Sequence, residues 1–289
     1  MHLAAQAVAV CCAMSYAAST ISARFGMRHS NPVTMTLISF TTQTVVLWAI
    51  VLLSGSIPPP SYFPAVLFVG IGFVMPGLRL LTYIGVSTLG ASRSIALRSS
   101  HPLFSAFFAL LFLRETPTAL VLSGTILVVL GTFLITWQKD EGVSSNRWWY
   151  VLFPLTAAAV SGLIQPAVRY GLGVSPYPVF FTALVGITSL SAYGASLPLI
   201  KRYQRPIWNR HGLRPLIIAA LFENLGFLLF ITAFGLAPVV TVSPLIATSP
   251  MWVVLAALVI FRDLEHVSRR TILGTLLTVT GTIAITLSH

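Results

Sequence analysis

Charge is the property that this sequence has least of. Charged residues make up 8% of its 289 residues and six residues are acidic, whereas 56% are hydrophobic. A water-soluble domain of this length needs far more charge to cover its surface. The composition therefore excludes a soluble globular protein and indicates a polytopic protein embedded in a lipid bilayer.

Acidic residues and cysteines are too few for most catalytic or metal sites. Six carboxylates leave little scope for the paired acids of hydrolases, and the sequence contains neither a phosphate-binding P-loop nor an evident nucleophile–base pair. Cys11 and Cys12 are adjacent in an apolar segment and offer no metal-ligand spacing. We expect no catalytic residue, cofactor or metal, and hence no enzyme.

Basic residues are in excess, with a formal net charge of +11. They do not indicate nucleic-acid binding, because the Lys and Arg residues cluster between apolar stretches, where the orientation signals of membrane proteins belong. We expect no nucleic-acid partner. The oligomeric state does not follow from the sequence.

Ten long apolar stretches follow one another along the chain. Each is long enough for a transmembrane helix of roughly 20 residues. They fall at residues 3–24, 32–54, 62–85, 91–113, 118–137, 149–170, 177–199, 213–235, 241–261 and 270–288. The first lacks the basic start of a signal peptide and is longer than one, so we interpret it as a retained span.

The second half of the chain repeats a pattern from the first. GTILVVLGTFLIT begins at Gly124 and GTLLTVTGTIAIT begins at Gly274, so that Gly-Thr recurs after seven residues in both. The preceding spans match as well, because Pro102 and Pro250 each stand before an apolar run that ends in Arg and an acidic residue. One structural unit is therefore duplicated.

The two copies occupy 1–138 and 149–289, with five spans each. Because five is odd, a unit starts and ends on opposite faces of the membrane, and its copy must enter the membrane inverted. The predicted fold class is an all-α polytopic membrane protein, with ten transmembrane helices as two inverted five-helix repeats. We expect the Gly-Thr spans to be packing elements, since small residues two turns apart let helices approach closely in lipid.

This pattern resembles that of the EamA-type members of the drug/metabolite transporter superfamily. The strongest matches are Pro102, Glu115, Gly124, Gly131, Pro250, Asp263, Gly274 and Gly281. The resemblance implies a secondary transporter of small metabolites, often an exporter, and hardly specifies the substrate. Two departures are Asp263, where the family usually has Glu, and Arg98, a polar insertion in span four.

Among the ionisable residues inside the predicted spans, where a functional role is the default hypothesis, four stand out. They are Arg79, Arg98, His101 and Glu223. Arg98 and His101 are three residues apart and share a helical face. Arginine suits a carboxylate or phosphate, so the arginines could bind an anionic or zwitterionic substrate while Glu223 serves as counter-ion, ammonium partner or proton-coupling group. The structural alternative is a buried Arg98–Glu223 ion pair.

Two prolines at matched positions complete the predicted substrate-binding set. Pro102 and Pro250 each remove a helical hydrogen bond and free a carbonyl, and such breaks are tolerated where they line a cavity. An ordinary packing kink is the alternative. Weaker candidates are Tyr16, Gln43, Tyr83, Gln165, Asn224 and Trp252. The halves differ at the ionisable positions, because Ile246, Ser249 and Met75 stand where the other half has Arg98, His101 and Glu223.

An acidic residue follows each of spans four and nine. We expect Glu115 and Asp263 to be interfacial, paired with Arg114 and Arg262 or capping the next helix. They are not assigned to the substrate site.

The loops after odd-numbered spans carry most of the cations. We call the membrane face that these loops reach the odd face, and the opposite face the even face. The positive-inside rule places the odd face in the cytoplasm and both termini outside, whereas the family resemblance implies the opposite. These cations are Arg24, Arg28, Lys139, Arg147, Lys201, Arg202, Arg205, Arg210, Arg214, Arg262, Arg269 and Arg270.

We therefore expect an integral protein of the bacterial inner (plasma) membrane. Its expected function is secondary transport, in the export direction, of a small anionic or zwitterionic, amino-acid-like metabolite. The expected partners are this small-molecule substrate and the lipid bilayer. A passive channel or facilitator on the same fold and a membrane scaffold without transport are the alternatives.

Overall fold

The computed structural model describes residues 2–59, 62–89, 91–136, 148–200, 205–260 and 269–287. Within them, ten segments are helical, long and apolar enough to cross a membrane, which confirms the ten predicted spans. Eight spans are single helices: α1 (His2–Met27), α2 (Pro32–Ser54), α3 (Tyr62–Leu89), α6 (Ala119–Thr136), α7 (Leu152–Val174), α8 (Pro178–Ile200), α9 (Arg210–Leu236) and α12 (Arg269–Leu287).

Spans four and nine are each divided into two helices. Span four consists of α4 (Ala91–Arg98) and α5 (His101–Leu113), and span nine of α10 (Val239–Ile246) and α11 (Ser249–Ile260). A short 3₁₀ turn, Trp148–Val151, leads into α7. The divisions fall at corresponding places in the two repeats.

Local signals in the sequence determine where α2 begins and ends. Asn31 caps its first turn, because the Asn31 Oδ1 accepts a hydrogen bond of 3.0 Å from the Thr34 N–H, and Pro32 follows at the first helical position. Gly55 ends the helix with a φ of 63°, a left-handed conformation that glycine adopts without strain. The span therefore begins and ends close to the predicted residues.

The Gly-Thr helices α6 and α12 cross in close contact. A Cβ built on Gly124 would lie 2.7 Å from the Gly281 carbonyl oxygen, and one on Gly131 would lie 2.5 Å from that of Gly274. The reciprocal contacts are equally short. Only glycine allows this approach, so the predicted packing role of the repeat is confirmed.

The other helices form two groups, each with spans from both repeats. Bundle one contains α3, α4, α5 and α7, and bundle two contains α1, α9, α10 and α11. The inverted repeat exchanges the bundles, because span three corresponds to span eight, span four to span nine and span six to span one. The pairs α6–α12 and α2–α8 each join one repeat to the other.

The two bundles meet on one half of the membrane. On the even half, α10 packs against α5 and α7, and α7 packs against α9. The symmetry-equivalent pairs on the odd half are α4 with α11, α4 with α1 and α3 with α1. Across the residues that the structure describes, none of these three pairs packs along its length. Among the described residues, the two bundles are therefore in contact toward the even face and apart toward the odd face, and we call the space between them the cleft.

Candidate functional site

The divided helices bring irregular backbone to the middle of the membrane. Pro102 and Pro250 each occupy the second position of the second helix, so that neither can bond the carbonyl four residues earlier, that of Arg98 or Ile246. Nearby hydroxyls bind other carbonyls, with Ser99 donating to Ile95 at 2.9 Å. The predicted helix breaks are therefore present in both repeats.

The divided spans also touch each other across the repeats. Ser105 of α5 and Ser243 of α10 share a hydrogen bond of 2.7 Å between fully buried hydroxyls. Polar contacts of this kind are favoured between helices in lipid, because water is not available as a partner. The contact holds α5 against α10 on the closed half of the protein.

An ion pair joins the repeats at the centre of the protein. The Arg79 guanidinium on α3 binds Oε1 of Glu223 on α9, and Ser39 of α2 donates to Oε2 at 2.7 Å. Asn224 donates to the Ser39 carbonyl at 3.1 Å, which fixes α9 against α2 at the same level. The Phe40 ring lies 5.7 Å from the Arg79 guanidinium carbon, in reach of a cation–π interaction.

The Arg79–Glu223 pair lies between two helices that the internal symmetry of the fold relates to each other. Span three and span eight are equivalent in the two repeats, so α3 and α9 face each other across the pseudo-two-fold axis. They do not pack along one another among the described residues, and the two long side chains span the gap. Arg79 retains 30% and Glu223 16% of its side-chain exposure. Both charged side chains are therefore partly accessible between the two bundles.

A second arginine lies beside the pair. Arg98, the last residue of α4, donates to the Thr82 hydroxyl at 3.1 Å. Thr82 is one turn beyond Arg79 on α3, and the half-buried Tyr16 of α1 interacts electrostatically with both arginines. Three helices therefore direct polar side chains to one region between the bundles.

His101 and Gln165 form the deeper end of the polar region. The Gln165 Nε2 and His101 Nδ1 atoms are 3.2 Å apart. Gln165 is 2% exposed, and its Oε1 atom has no hydrogen-bond partner among the described residues. Among the described residues, the oxygen of this buried amide is therefore left unsatisfied.

Glu115 belongs to a separate polar network at the even face. It follows α5, and its Oε2 accepts hydrogen bonds from the N–H groups of Val239 (2.8 Å) and Val240 (3.3 Å) at the start of α10. Its Oε1 lies 3.8 Å from Nε of Arg169. Burial raises the pKa of Glu115 above its ordinary value, while the two N–H groups and Arg169 oppose this rise.

Arg169 completes this network from the last turns of α7. Its Nη1 donates to the carbonyls of Phe234 (3.1 Å) and Gly235 (3.0 Å) at the end of α9. The partner predicted for Glu115, Arg114, is instead exposed and ends α5 with a φ of 57°. We call Glu115, Arg169 and the α9–α10 turn that they bind the even-face network.

A family model matches the chain twice, over residues 3–137 and 148–287, and its description is "EamA-like transporter family". The chain belongs to the EamA-like transporter family. It is thus an integral membrane transporter of the drug/metabolite transporter superfamily, with the family's domain present in each half. No curated protein matches the sequence.

The fold of this EamA-like transporter also occurs among solved structures. One crystal structure superposes on 98% of the chain and on 96% of its own length, with a TM-score of 0.79 and 16% sequence identity. A likeness at this identity shows the fold alone. It supports the arrangement of ten helices in two inverted repeats.

The structure brings most of the predicted site residues of the EamA-like transporter together. Arg79 and Glu223 are in direct contact, Arg98 binds Thr82 one turn along α3 from Arg79, and His101 follows Arg98 by three residues at the break of span four. Glu223 pairs with Arg79, so the predicted Arg98–Glu223 alternative is wrong: Arg79 on α3 faces α9 across the axis, whereas Arg98 reaches α3.

The remaining predicted residues lie in different settings. Pro102 is buried at the break of span four, and Pro250 is half-buried at the break of span nine without a polar contact to the ion pair. Gln43 instead donates to the Thr182 carbonyl at 3.1 Å between α2 and α8, and the Trp252 indole N–H is buried without a partner among the described residues. The Tyr83 side chain and Asp263 lie outside the described residues.

Three residues of the site were not predicted. Ser39 and Thr82 bind the charged groups directly, and Phe40 lies against Arg79. Serine and threonine are frequent in these spans, and most of their hydroxyls bind a carbonyl one turn earlier, as Thr44 binds Phe40. The sequence offers no signal that distinguishes the two site hydroxyls from the rest.

Proposed function

We propose that this protein is a secondary active transporter that exports a small anionic or zwitterionic, amino-acid-like metabolite. The observation that carries the proposal is the Arg79–Glu223 ion pair. It lies between symmetry-equivalent helices, at the level where inverted-repeat transporters commonly bind substrate. The proposed location is the bacterial inner (plasma) membrane.

The charge balance of the site supports a substrate with a negative group. Within the ten spans, the sequence has one acidic residue, Glu223, and two arginines stand near it. In a low-dielectric region an excess positive charge is costly unless an anion balances it. A carboxylate on the substrate would add a second negative charge to this region, and an ammonium group could bind Glu223 in the same event.

The asymmetry of the two halves supports directional transport. The cleft opens toward the odd face, which carries most of the cations and which the positive-inside rule assigns to the cytoplasm. A substrate would therefore enter from the cytoplasm and leave at the even face. The inverted repeat supplies the second state, because an exchange of conformations between the bundles would close the odd half and open the even half.

A two-step binding and flux experiment tests this function. Purified protein is first screened by thermal shift against amino acids, organic acids, phosphorylated metabolites and organic cations, since a ligand of the native state raises apparent stability. Each hit is then followed as a radiolabelled compound in proteoliposomes. Saturable flux of an anion or zwitterion is expected. Hits confined to cations would refute the substrate class, and no saturable flux for any hit would favour the scaffold alternative.

Two substitutions connect the flux to the site. Arg98→Ala is expected to abolish saturable flux while the protein still folds and elutes as the wild type does. The exposed Arg114, which contacts neither the ion pair nor Glu115, provides the matched control Arg114→Ala with flux unchanged. Full flux at all pH values in Glu223→Gln would instead favour the passive facilitator.

A further inference from the structure

The helix ends at the α9–α10 turn are bound by residues of the opposite bundle. Pro238 occupies the N-cap position of α10 and makes no side-chain hydrogen bond that caps the helix. Glu115 supplies that cap, and Arg169 binds the last carbonyls of α9. A carboxylate at a helix N-terminus and a guanidinium at a C-terminus both interact favourably with the helix dipoles. Both side chains come from bundle one, whereas both helix ends belong to bundle two.

This network lies where the protein is closed. The even half is the half on which bundles one and two are in contact, and Leu172 of α7 packs there against Gly235 of α9. A substrate that enters the cleft from the odd face can leave at the even face only if these contacts separate. The Glu115 and Arg169 contacts therefore cross the surface along which the bundles must part.

The contacts are of a kind that can break and form again. A polar helix cap contributes about 0.5–2 kcal/mol to stability. A contribution of this size can be lost and regained during a conformational change. A cavity of about 140 Å³ adjoins Glu115 and is lined by Thr116, Pro117, Pro238 and Thr241. That volume is large enough for several water molecules, so the carboxylate and the helix N-terminus would be hydrated when they separate.

We propose that Glu115 and Arg169 are the gate residues of the even face, which hold bundle two closed by capping the α9–α10 turn from bundle one. The proposal concerns the conformational equilibrium and holds for any substrate. It gives the acidic residue of the Arg-Glu pair after span four a role outside the substrate site.

Spin-label distances in lipid nanodiscs test the proposal without a substrate. Pairs of labels on the symmetry-equivalent helices α1 and α7 measure the separation of the bundles at each face. The labels are introduced in a background with Cys11→Ser and Cys12→Ser. Labels at the exposed residues Leu3 and Val174 measure the even face, and labels at Met27 and Leu152 measure the odd face. In Glu115→Ala, the ratio of long to short Leu3–Val174 distances is expected to rise about fivefold or more, which corresponds to about 1 kcal/mol.

The odd-face distances distinguish a gate from a local helix cap. If the network is a gate, Met27–Leu152 distances shorten in the same variant, because the bundles exchange conformations. Arg169→Gln should shift both pairs in the same directions, and Arg114→Gln should shift neither. Lengthening at the even face without shortening at the odd face would reduce Glu115 to a local cap and overturn the proposal, as would unchanged distances in both variants.

An engineered disulfide provides an independent test. The Leu172 Cβ lies 3.8 Å from a Cβ built on Gly235, which suits a disulfide between the bundles. In the Glu115→Ala background, the oxidised Leu172→Cys/Gly235→Cys pair is expected to restore the wild-type odd-face distances. The control pair Gly85→Cys/Ser94→Cys, at 3.6 Å within bundle one, should not restore them. Failure of the first pair, or equal restoration by the second, would contradict the gate.

Discussion

The central ion pair contains one charged residue from each repeat. Arg79 and Glu223 are the charged side chains that bridge the gap between α3 and α9, and Ser39 holds the second carboxylate oxygen. Removal of either partner leaves the other, partly buried charge without its counter-ion. The two residues should therefore be strongly coupled in stability.

A double-mutant cycle measures this coupling. Arg79→Gln and Glu223→Gln are each expected to lower the free energy of unfolding, and the double variant should be less destabilised than the sum of the two. We expect a coupling energy of about 1–2 kcal/mol, measured by denaturant titration in detergent micelles. The matched cycle of Arg114→Gln with Glu223→Gln should be additive within about 0.5 kcal/mol. Additivity in the first cycle as well would show that the pair is not an effective interaction.

Glu115 gives the stability of the protein a specific pH dependence. Its pKa in the folded protein is raised above the ordinary value of 4.5 by burial, so the folded state binds this proton more tightly than the unfolded state does. Over the pH range between 4.5 and the raised pKa, stability should therefore fall as pH rises. The neighbouring charge that opposes the shift is Arg169.

Comparison of wild type with Glu115→Gln isolates this effect. Glutamine retains an oxygen that can accept from Val239, but it does not titrate. Thermal unfolding between pH 4 and pH 8 is expected to show a smaller decline of stability with rising pH in Glu115→Gln than in wild type. A parallel pair of profiles would mean that the Glu115 pKa is the same in the folded and unfolded states.

The residue types in the site were predictable, whereas their partners were not. Ionisable groups in apolar spans are rare enough to be recognised in the sequence, as Arg98 and Glu223 were. Spacing along a helix gives depth and face, but the rotation of one helix relative to another depends on packing across the repeats. For that reason, the sequence could not decide between Arg98 and Arg79 as the partner of Glu223, nor find Ser39 among many similar hydroxyls.

At the scale of elements, glycine determines which helices can approach each other. In the α6–α12 crossing, a Cβ on Gly131 would lie 2.5 Å from the Gly274 carbonyl oxygen and 2.7 Å from the Thr278 nitrogen. Both are backbone atoms, which a side-chain rotation does not move away. The helices would have to separate to accommodate even one methyl group.

Gly131→Ala should therefore destabilise the protein by about 1–3 kcal/mol. The matched control is Gly194→Ala on α8, where a Cβ would meet no atom within 4 Å. The control should be neutral or slightly stabilising, because alanine favours helix more than glycine does. The melting temperatures of both variants, measured in the same detergent, test this prediction. Equal melting temperatures for the two variants would show that the crossing tolerates separation.

The element pattern was the part of the fold that the sequence specified best. Span number, the inverted repeat and the breaks near Pro102 and Pro250 all rest on periodicity, composition or backbone chemistry, which act locally. The division of the helices into two bundles, closed on one half, depends on contacts between distant segments such as Ser105 and Ser243. Such contacts produce no periodic pattern in the sequence. The open and closed halves could therefore be recognised only in the three-dimensional structure.

At the scale of the whole molecule, most of the cations lie at the face toward which the cleft opens. The cleft opens toward the odd face, and the described cations Arg24, Arg28, Arg205, Arg210 and Arg214 lie at that face. Cations at this face would raise the local concentration of the proposed anionic substrate and speed its association. By the positive-inside rule, the same cations would also orient the protein in the membrane. Membrane orientation therefore determines from which compartment the site loads.

Cysteine labelling determines this orientation directly. In the Cys11→Ser/Cys12→Ser background, Trp208→Cys places a thiol at a 63% exposed position near the odd face, and Ile57→Cys places one at a 57% exposed position near the even face. The positive-inside rule predicts that a membrane-impermeant maleimide labels Ile57→Cys in intact cells, and Trp208→Cys only after the membrane is opened. The opposite pattern would place both termini in the cytoplasm. The cleft would then face outward, so that this conformation would load substrate from outside the cell and the proposed direction of export would be reversed.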